Sequence, residues 1–459
     1  MYLASVSRPA SATNRTKAVK VASNVFALGT VSLVTDVSSE MVTAILPLYL
    51  VAGLGLGPAV FGLVDGLYTG ATALLRLAGG YLADRAQRRK LVAGLGYGIS
   101  AVAKAALLAA GSSLPGIGAA IVADRAGKGL RTAPRDALIT LSTPPEGLGR
   151  AFGVHRAMDS AGAFAGPLVA LAVLAASGQA FDAVFVVSGC IAAIGVLILI
   201  TFVRDPRPTR TPRSPHASHD EPAPRGPHSP RDDLASHRQA SRDGPASPDE
   251  LAPPAPVTAT KPVDLRQAAA LLRDVRLRAL LAGAVLLGLS TIGDGFVYLL
   301  LQRREDIATG WFPLLAVGTS LAYLVLAVPL GALADRAGRT RVFLGGYAAL
   351  LTVYLILATR WSGPGALVTV LLLYGIFYAA TDGVLMAVAG PLLPPELRTT
   401  GLALIQTGQA LAYLVSSVLF GLAWQWFGAA GAIRATVAAA TLTLAGSAAL
   451  LLRTRRAAA

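Results

Sequence analysis

Asp36 and Glu40 lie four residues apart in an apolar run, so on a helix they share one face and present two carboxyl groups able to exchange protons. The string DRAGKGLRTAPRDALI sets Asp124, Lys128, Arg131 and Arg135 at i, i+4, i+7 and i+11, a single charged stripe. His155 and Asp159 are again one turn apart, with Arg156 beside them, and Lys104 stands alone in its run. Asp65 and Arg76, eleven residues apart, also return to one face. The second half is sparser, offering Asp294, Asp382, Gln406 and Gln409. These types and spacings suit ion pairing and proton transfer rather than bond-breaking catalysis. A carboxylate such as Asp36 or Glu40, paired in one conformation and isolated in another, takes up a proton in one and releases it in the other. A slight excess of cations leaves room for an anionic or zwitterionic substrate. The set Asp36, Glu40, His155 and Asp159 also suits passage of a divalent metal or its chelate as cargo. No resident metal or cofactor is expected. No nucleophile elbow, phosphate loop or metalloprotease motif is present, so an enzyme is not expected.

The elements that must position these groups are hydrophobic. Of 459 residues 54% are hydrophobic and 14% charged, outside the soluble range, and no period-two alternation suggests a β-barrel. Twelve apolar stretches are long enough, at roughly 20 residues each, to cross a bilayer as helices. They begin near Val21, Ala59, Leu91, Gly116, Ala151, Ala180, Leu277, Phe312, Val342, Ala366, Gly401 and Ala430. An ionisable group inside such a span is costly and usually faces a polar cavity, so the residues above nominate a working surface concentrated in the first half.

The net charge of +15 does not signal nucleic-acid binding, because the cations sit where a membrane protein places them. Arg8, Arg15, Lys17 and Lys20 precede the first span, Arg85, Arg88, Arg89 and Lys90 fill one loop, and Arg453, Arg455 and Arg456 end the chain. The loops from Val51 to Pro58 and from Gly111 to Gly116 are uncharged. Both termini are therefore expected in the cytoplasm. The first apolar run is too long for a cleaved signal peptide and contains Asp36 and Glu40, so it is expected to remain as a helix. The single cysteine, Cys190, is expected to pack as a small apolar residue.

GYLADRAQRRK (Gly80 to Lys90) recurs as GALADRAGRTR (Gly331 to Arg341), and TPPEGLGRAFG (Thr143 to Gly153) echoes LPPELRTTGLA (Leu393 to Ala403). Duplicated hydrophobic units of this length are the signature of a transporter built from two similar bundles. The expected plan is a tail (1–20), a six-helix bundle (21–203), a cytoplasmic linker (204–263), an interfacial helix with a second six-helix bundle (264–452), and a tail (453–459). The linker is Pro, Arg, His, Ser and Asp rich, too polar to offset its ordering entropy. It holds His216, His219, His228 and His237, whose spacing fits no compact metal site.

On this cassette, the twelve spans and the central linker, the chain resembles the major facilitator superfamily over essentially its whole length. Gly80, Leu82, Asp84, Arg85, Arg88 and Arg89 match that family's loop signature, with Gln87 in place of its second glycine. Gly331, Leu333, Asp335, Arg336, Gly338 and Arg339 match it more closely. Arg125 and Gly129 resemble the fourth-helix pattern of proton-coupled drug exporters. Gly162, Gly166 and Pro167 resemble the fifth-helix pattern of the antiporter branch, although close helix packing accounts for them equally well. The resemblance implies two bundles rocking about a central site, with spans one, four, five, seven, ten and eleven lining the cavity. It further implies a conformational latch formed by Gly80, Asp84, Arg85 and Arg88 with Asp136, and by Gly331, Asp335, Arg336 and Arg339 in the second copy. The expected activity is secondary active transport by a multi-pass monomer in the plasma membrane, moving a small organic compound outward against protons. A membrane sensor or scaffold using the linker is the competing class.

Overall fold

A computed structural model describes residues 22–86, 88–144, 147–205, 273–393 and 398–456, except the side chains of much of 71–87, of 398–400 and of 454–456. The described residues form one compact unit. The described residues are helical, with no strand among them.

In chain order the helices are α1 (Ser23–Leu48, continued by a π-turn Tyr49–Gly53), α2 (Pro58–Ala86), α3 (Arg89–Ala110), α4 (Leu114–Leu141), α5 (Leu148–Ala176) and α6 (Phe181–Phe202). Then follow α7 (Val275–Gly288), α8 (Asp294–Arg304), α9 (Pro313–Ala337), α10 (Arg339–Ala358), α11 (Pro364–Thr381), α12 (Val384–Ala389) and α13 (Arg398–Arg456). Gly428, at φ 70°, breaks α13 into two arms. All twelve expected starts fall within three residues of a helix start or of this break, because long apolar runs between loops leave little freedom. Eight described helices are long and apolar enough to cross a membrane. α2, α4 and the divided α7–α8 pair are outside that set, and they carry Asp65, Asp124 through Asp136, and Asp294.

Local chemistry explains the ends. Asp274 caps α7, accepting from the Arg276 and Leu277 amides at 2.7 and 3.2 Å, so the tail of the expected interfacial helix instead opens the seventh span. Residues 264–272 of that helix, and the 206–263 stretch of the expected linker, lie outside the described residues. Ser113 caps α4 on the Gly116 amide at 3.3 Å. Gly338, between α9 and α10, has φ 100°, which an L side chain resists. The corresponding position of the first cassette is Gln87, outside the described residues.

Small residues bring the helices together. A side chain at Gly96 would meet the Gly127 carbonyl at 2.7 Å, so α3 and α4 touch backbone to backbone. One at Gly166 would meet Cβ of Glu40 at 2.6 Å, and Gly162 lies against Leu33, so these two glycines seat α5 on α1. Ser38 and Ser188 exchange hydroxyl-to-carbonyl bonds of 2.7 Å between α1 and α6. Gly127→Leu should therefore lower stability by about 1–3 kcal/mol through overpacking, read as a lower melting temperature in detergent. Cys190 is exposed on α6 and points away from the packed interior, correcting the packing role expected for it.

Candidate functional site

α4 presents its cations to α1 as a ladder. Lys128 Nζ lies 3.8 Å from Glu40, Arg131 lies 3.5 Å from Asp36, and Arg135 reaches the Ser32 hydroxyl at 3.3 Å. The rungs take every fourth residue of α1 (32, 36, 40) against positions 135, 131 and 128 of α4, so the helices run in opposite directions along a shared polar face. α5 closes the lower rung. Asp159 sits 3.7 Å from Arg135 and 3.2 Å from Arg156, and His155 Nε2 is 3.0 Å from Ser32 Oγ. Asp136 pairs with Arg135 at 3.0 Å.

The other end of α4 is a buried ion cluster. Asp124 takes Lys104 at 2.9 Å, Arg125, and the Ser100 hydroxyl. The Arg125 guanidinium also lies 3.8 Å above the Tyr68 ring, and Tyr68 bonds Thr43 of α1. Arg131 stacks on Tyr97 at 4.4 Å. Stacking of this kind contributes roughly 0.5 to 2 kcal/mol, more when water is excluded.

Exposure separates the rungs. The Lys104 and Arg131 side chains are 2% and 4% exposed, whereas Lys128 and Glu40 are 30% and 27% exposed. The Glu40–Lys128 pair is thus longer and more exposed than its neighbours. Glu40 is also within electrostatic reach of Asp294 and Tyr298 on α8.

In the second half the carboxylates sit at helix breaks. Asp294 starts α8 after the interruption that follows α7, and accepts from Tyr374 at 2.7 Å and from Tyr378. Asp382 ends α11 beside Gly383, at φ 77°, and accepts from Tyr323 at 3.0 Å. Asp65 accepts from Ser417 of α13 at 2.6 Å. Among the described residues none of these three is within ion-pair distance of a cation.

The structure therefore brings Asp36, Glu40, Lys128, Arg131, His155 and Asp159 into one face, with Lys104, Asp124 and Arg125 as a buried annex. Asp65 lies apart from that ladder, against α13. Gln406 is half-buried on the first arm of α13, where Gln409 bonds Tyr347 at 3.1 Å. Asp335 and Arg339 pair at 3.0 Å and Arg339 also reaches the Ala387 carbonyl at 2.9 Å, Arg336 is exposed, and Gly331 is half-buried. Arg88 is exposed at the start of α3. The side chains of Arg76, Asp84 and Arg85, and the surroundings of Gly80, lie outside what is described. Among the described residues no three His, Cys, Asp or Glu side chains gather into a metal site. Sequence reasoning passes over Ser32, Ser100 and the tyrosines 68, 97, 374 and 378. The spacing of Tyr374 and Tyr378, one turn apart, is the available signal for that pair.

Comparison with known proteins gives a consistent picture. The family model described as Major Facilitator Superfamily matches residues 28–316 and 306–459. The uncharacterized MFS-type transporter MJ1317 of Methanocaldococcus jannaschii is 29% identical over 415 residues, covering 88% of this chain and 89% of that one. Among solved structures, the nucleoside transporter NupG aligns with a TM-score of 0.68 at 13% identity, covering 93% of this chain and 98% of that one. A bacterial homologue of the human lysosomal transporter Spinster, inward-facing and occupied, aligns with a TM-score of 0.66 at 15% identity, covering 94% and 96%. At these identities the likeness is one of fold.

Proposed function

The chain belongs to the major facilitator superfamily, and on that footing we propose that it is a proton-coupled transporter that exports a small organic compound by alternating access. The Glu40–Lys128 rung carries this reading. It is the one rung of the ladder that is both stretched, at 3.8 Å, and about a third exposed. A proton arriving on Glu40 removes its attraction for Lys128 and frees that cation, so the ladder has two charge states with different pairings. A pairing that differs between conformations shifts their populations when the proton binds. Arg135, with Asp136 and Asp159 both beside it, holds α4 to α5 in either charge state.

The basic loops face the cytoplasm in this reading, with both termini inside a plasma-membrane protein. The substrate enters beside Glu40, with the tyrosine-held Asp294 opposite. The exposed Arg88, and the Asp335–Arg339 pair bound to the α12 carbonyl, belong to the cytoplasmic latch. Opposition of Asp136 to Arg135 leaves it half-exposed and available to that latch.

The reading is tested in two steps. A ligand library is first screened for compounds that raise the melting temperature of the purified full-length protein. A stabilising compound should then accumulate in proteoliposomes only when a pH gradient is imposed. Accumulation indifferent to the gradient, with a sodium gradient substituting for it, would replace the proton in this account.

A further inference from the structure

Three helices meet at the end of the molecule opposite the basic loops, and they meet in two layers. The outer layer is aromatic. Phe296 of α8 packs edge-on against Phe61 of α2 at 4.6 Å and Phe420 of α13 at 4.7 Å, with Trp424 at 5.8 Å. The layer beneath is polar and in register with it. Asp65 follows Phe61 by four residues, Ser417 precedes Phe420 by three, and Gly293 precedes Phe296 by three. In that layer the Asp65 carboxylate accepts from Ser417 at 2.6 Å and lies so close over Gly293 that any added methyl would collide with it. Gly293 caps the start of α8, where free amides and the helix dipole favour an anion.

The surrounding backbone is shaped for this contact. Gly62 lies against the Ser417 carbonyl, Gly421 against the Pro58 carbonyl, and a side chain at Gly66 would meet the Leu414 carbonyl at 2.9 Å. α2 and α13 therefore approach closely enough for a side chain as short as aspartate to bridge them.

We propose that Asp65 is the positioning residue of an outer latch. It ties α2 of the first half to α13 and to the start of α8 in the second half, and it holds the aromatic layer shut in the conformation seen here. Each of its partners lies across the contact between chain halves, so parting the halves strips the carboxylate of all of them at once. Gly293 is the glycine that the latch requires. This inference rests on alternating access alone and not on the proton coupling proposed above.

The test measures distance rather than transport, so it needs neither substrate nor gradient. Ser112 and Ser362 are exposed in loops at this end, one in each half of the chain. Spin labels are attached to Ser112→Cys and Ser362→Cys in a full-length Cys190→Ser background, and the distance distribution is read by pulsed electron resonance. Asp65→Ala should shift the distribution to longer distances, changing the ratio of closed to open populations roughly tenfold, the scale of a lost buried hydrogen bond. Gly293→Ala, which pushes the carboxylate aside, and Ser417→Ala should shift it the same way by less. A residue with a merely structural role would lower the melting temperature and leave the distances alone. Should Asp65→Ala not fold, Gly293→Ala and Ser417→Ala decide. Unchanged distributions in the variants that fold overturn the latch.

Discussion

Asp124→Ala prevents recovery of folded protein. The substitution leaves Lys104 and Arg125 buried at 2% and 4% exposure without their shared anion, and breaking a buried ion pair from one side costs about 3–5 kcal/mol. The Ser100 hydroxyl loses its carboxylate acceptor as well and keeps only the residue 124 carbonyl at 3.5 Å. A membrane protein of ordinary stability, on the order of 5–15 kcal/mol, loses a large part of its margin. The expected result is little or no monodisperse protein after detergent extraction. The triple variant Lys104→Met, Asp124→Leu, Arg125→Met removes all three charges and should restore much of the yield, since apolar replacements of similar volume are often tolerated at buried ion clusters. Recovery of a stable Asp124→Ala protein with an unchanged melting temperature would show that the cluster is not the keystone of α3 and α4.

Glu40→Gln has the second large effect, and it falls on coupling rather than folding. Glutamine keeps the size and polarity of the side chain but cannot change charge. Because Glu40 and Lys128 are already about a third exposed and 3.8 Å apart, the variant should fold with a melting temperature close to that of the parent. Transport driven by a pH gradient should disappear, while exchange of labelled for unlabelled substrate, which needs no net proton movement, should persist. Asp36→Asn should also abolish proton-driven flux, with an added cost in stability because Arg131 is nearly dry and Asp36 is its anion. Loss of exchange together with driven flux in Glu40→Gln would assign Glu40 to substrate binding instead.

How much of the structure is legible in the sequence depends on distance along the chain. Helix starts are readable because each span is a long apolar run. The stripe on α4 is readable because a single helix carries it, and Asp36 with Glu40 because one turn separates them. Partners are harder. Arg125 stands in the sequence as half of a pattern with Gly129, yet its adjacent Asp124 holds it, and Lys104, alone in its own run, completes that cluster. Ser32 is a rung of the ladder, but a serine in an apolar helix carries no distinguishing mark. Asp65 reads as a companion of Arg76 on its own helix. Its observed partner, Ser417, is 352 residues away, and nothing local encodes such a contact. The breaks at Gly293–Asp294 and Asp382–Gly383 are half-visible as glycine beside aspartate, although a helix tolerates that pair unless tertiary partners reward the interruption. Cys190 misleads because a small residue in a span is as acceptable facing lipid as facing protein.

In this reading the ladder between α1 and α4 exchanges a proton for substrate. Proteoliposomes loaded with a pH-sensitive dye, to which a stabilising ligand from the thermal screen is added outside, report that exchange. The account predicts that ligand entry drives protons out and raises the internal pH in the parent protein, and that Glu40→Gln shows no pH change. A parent protein that takes up ligand with no pH change, or a Glu40→Gln protein that matches the parent, would contradict it.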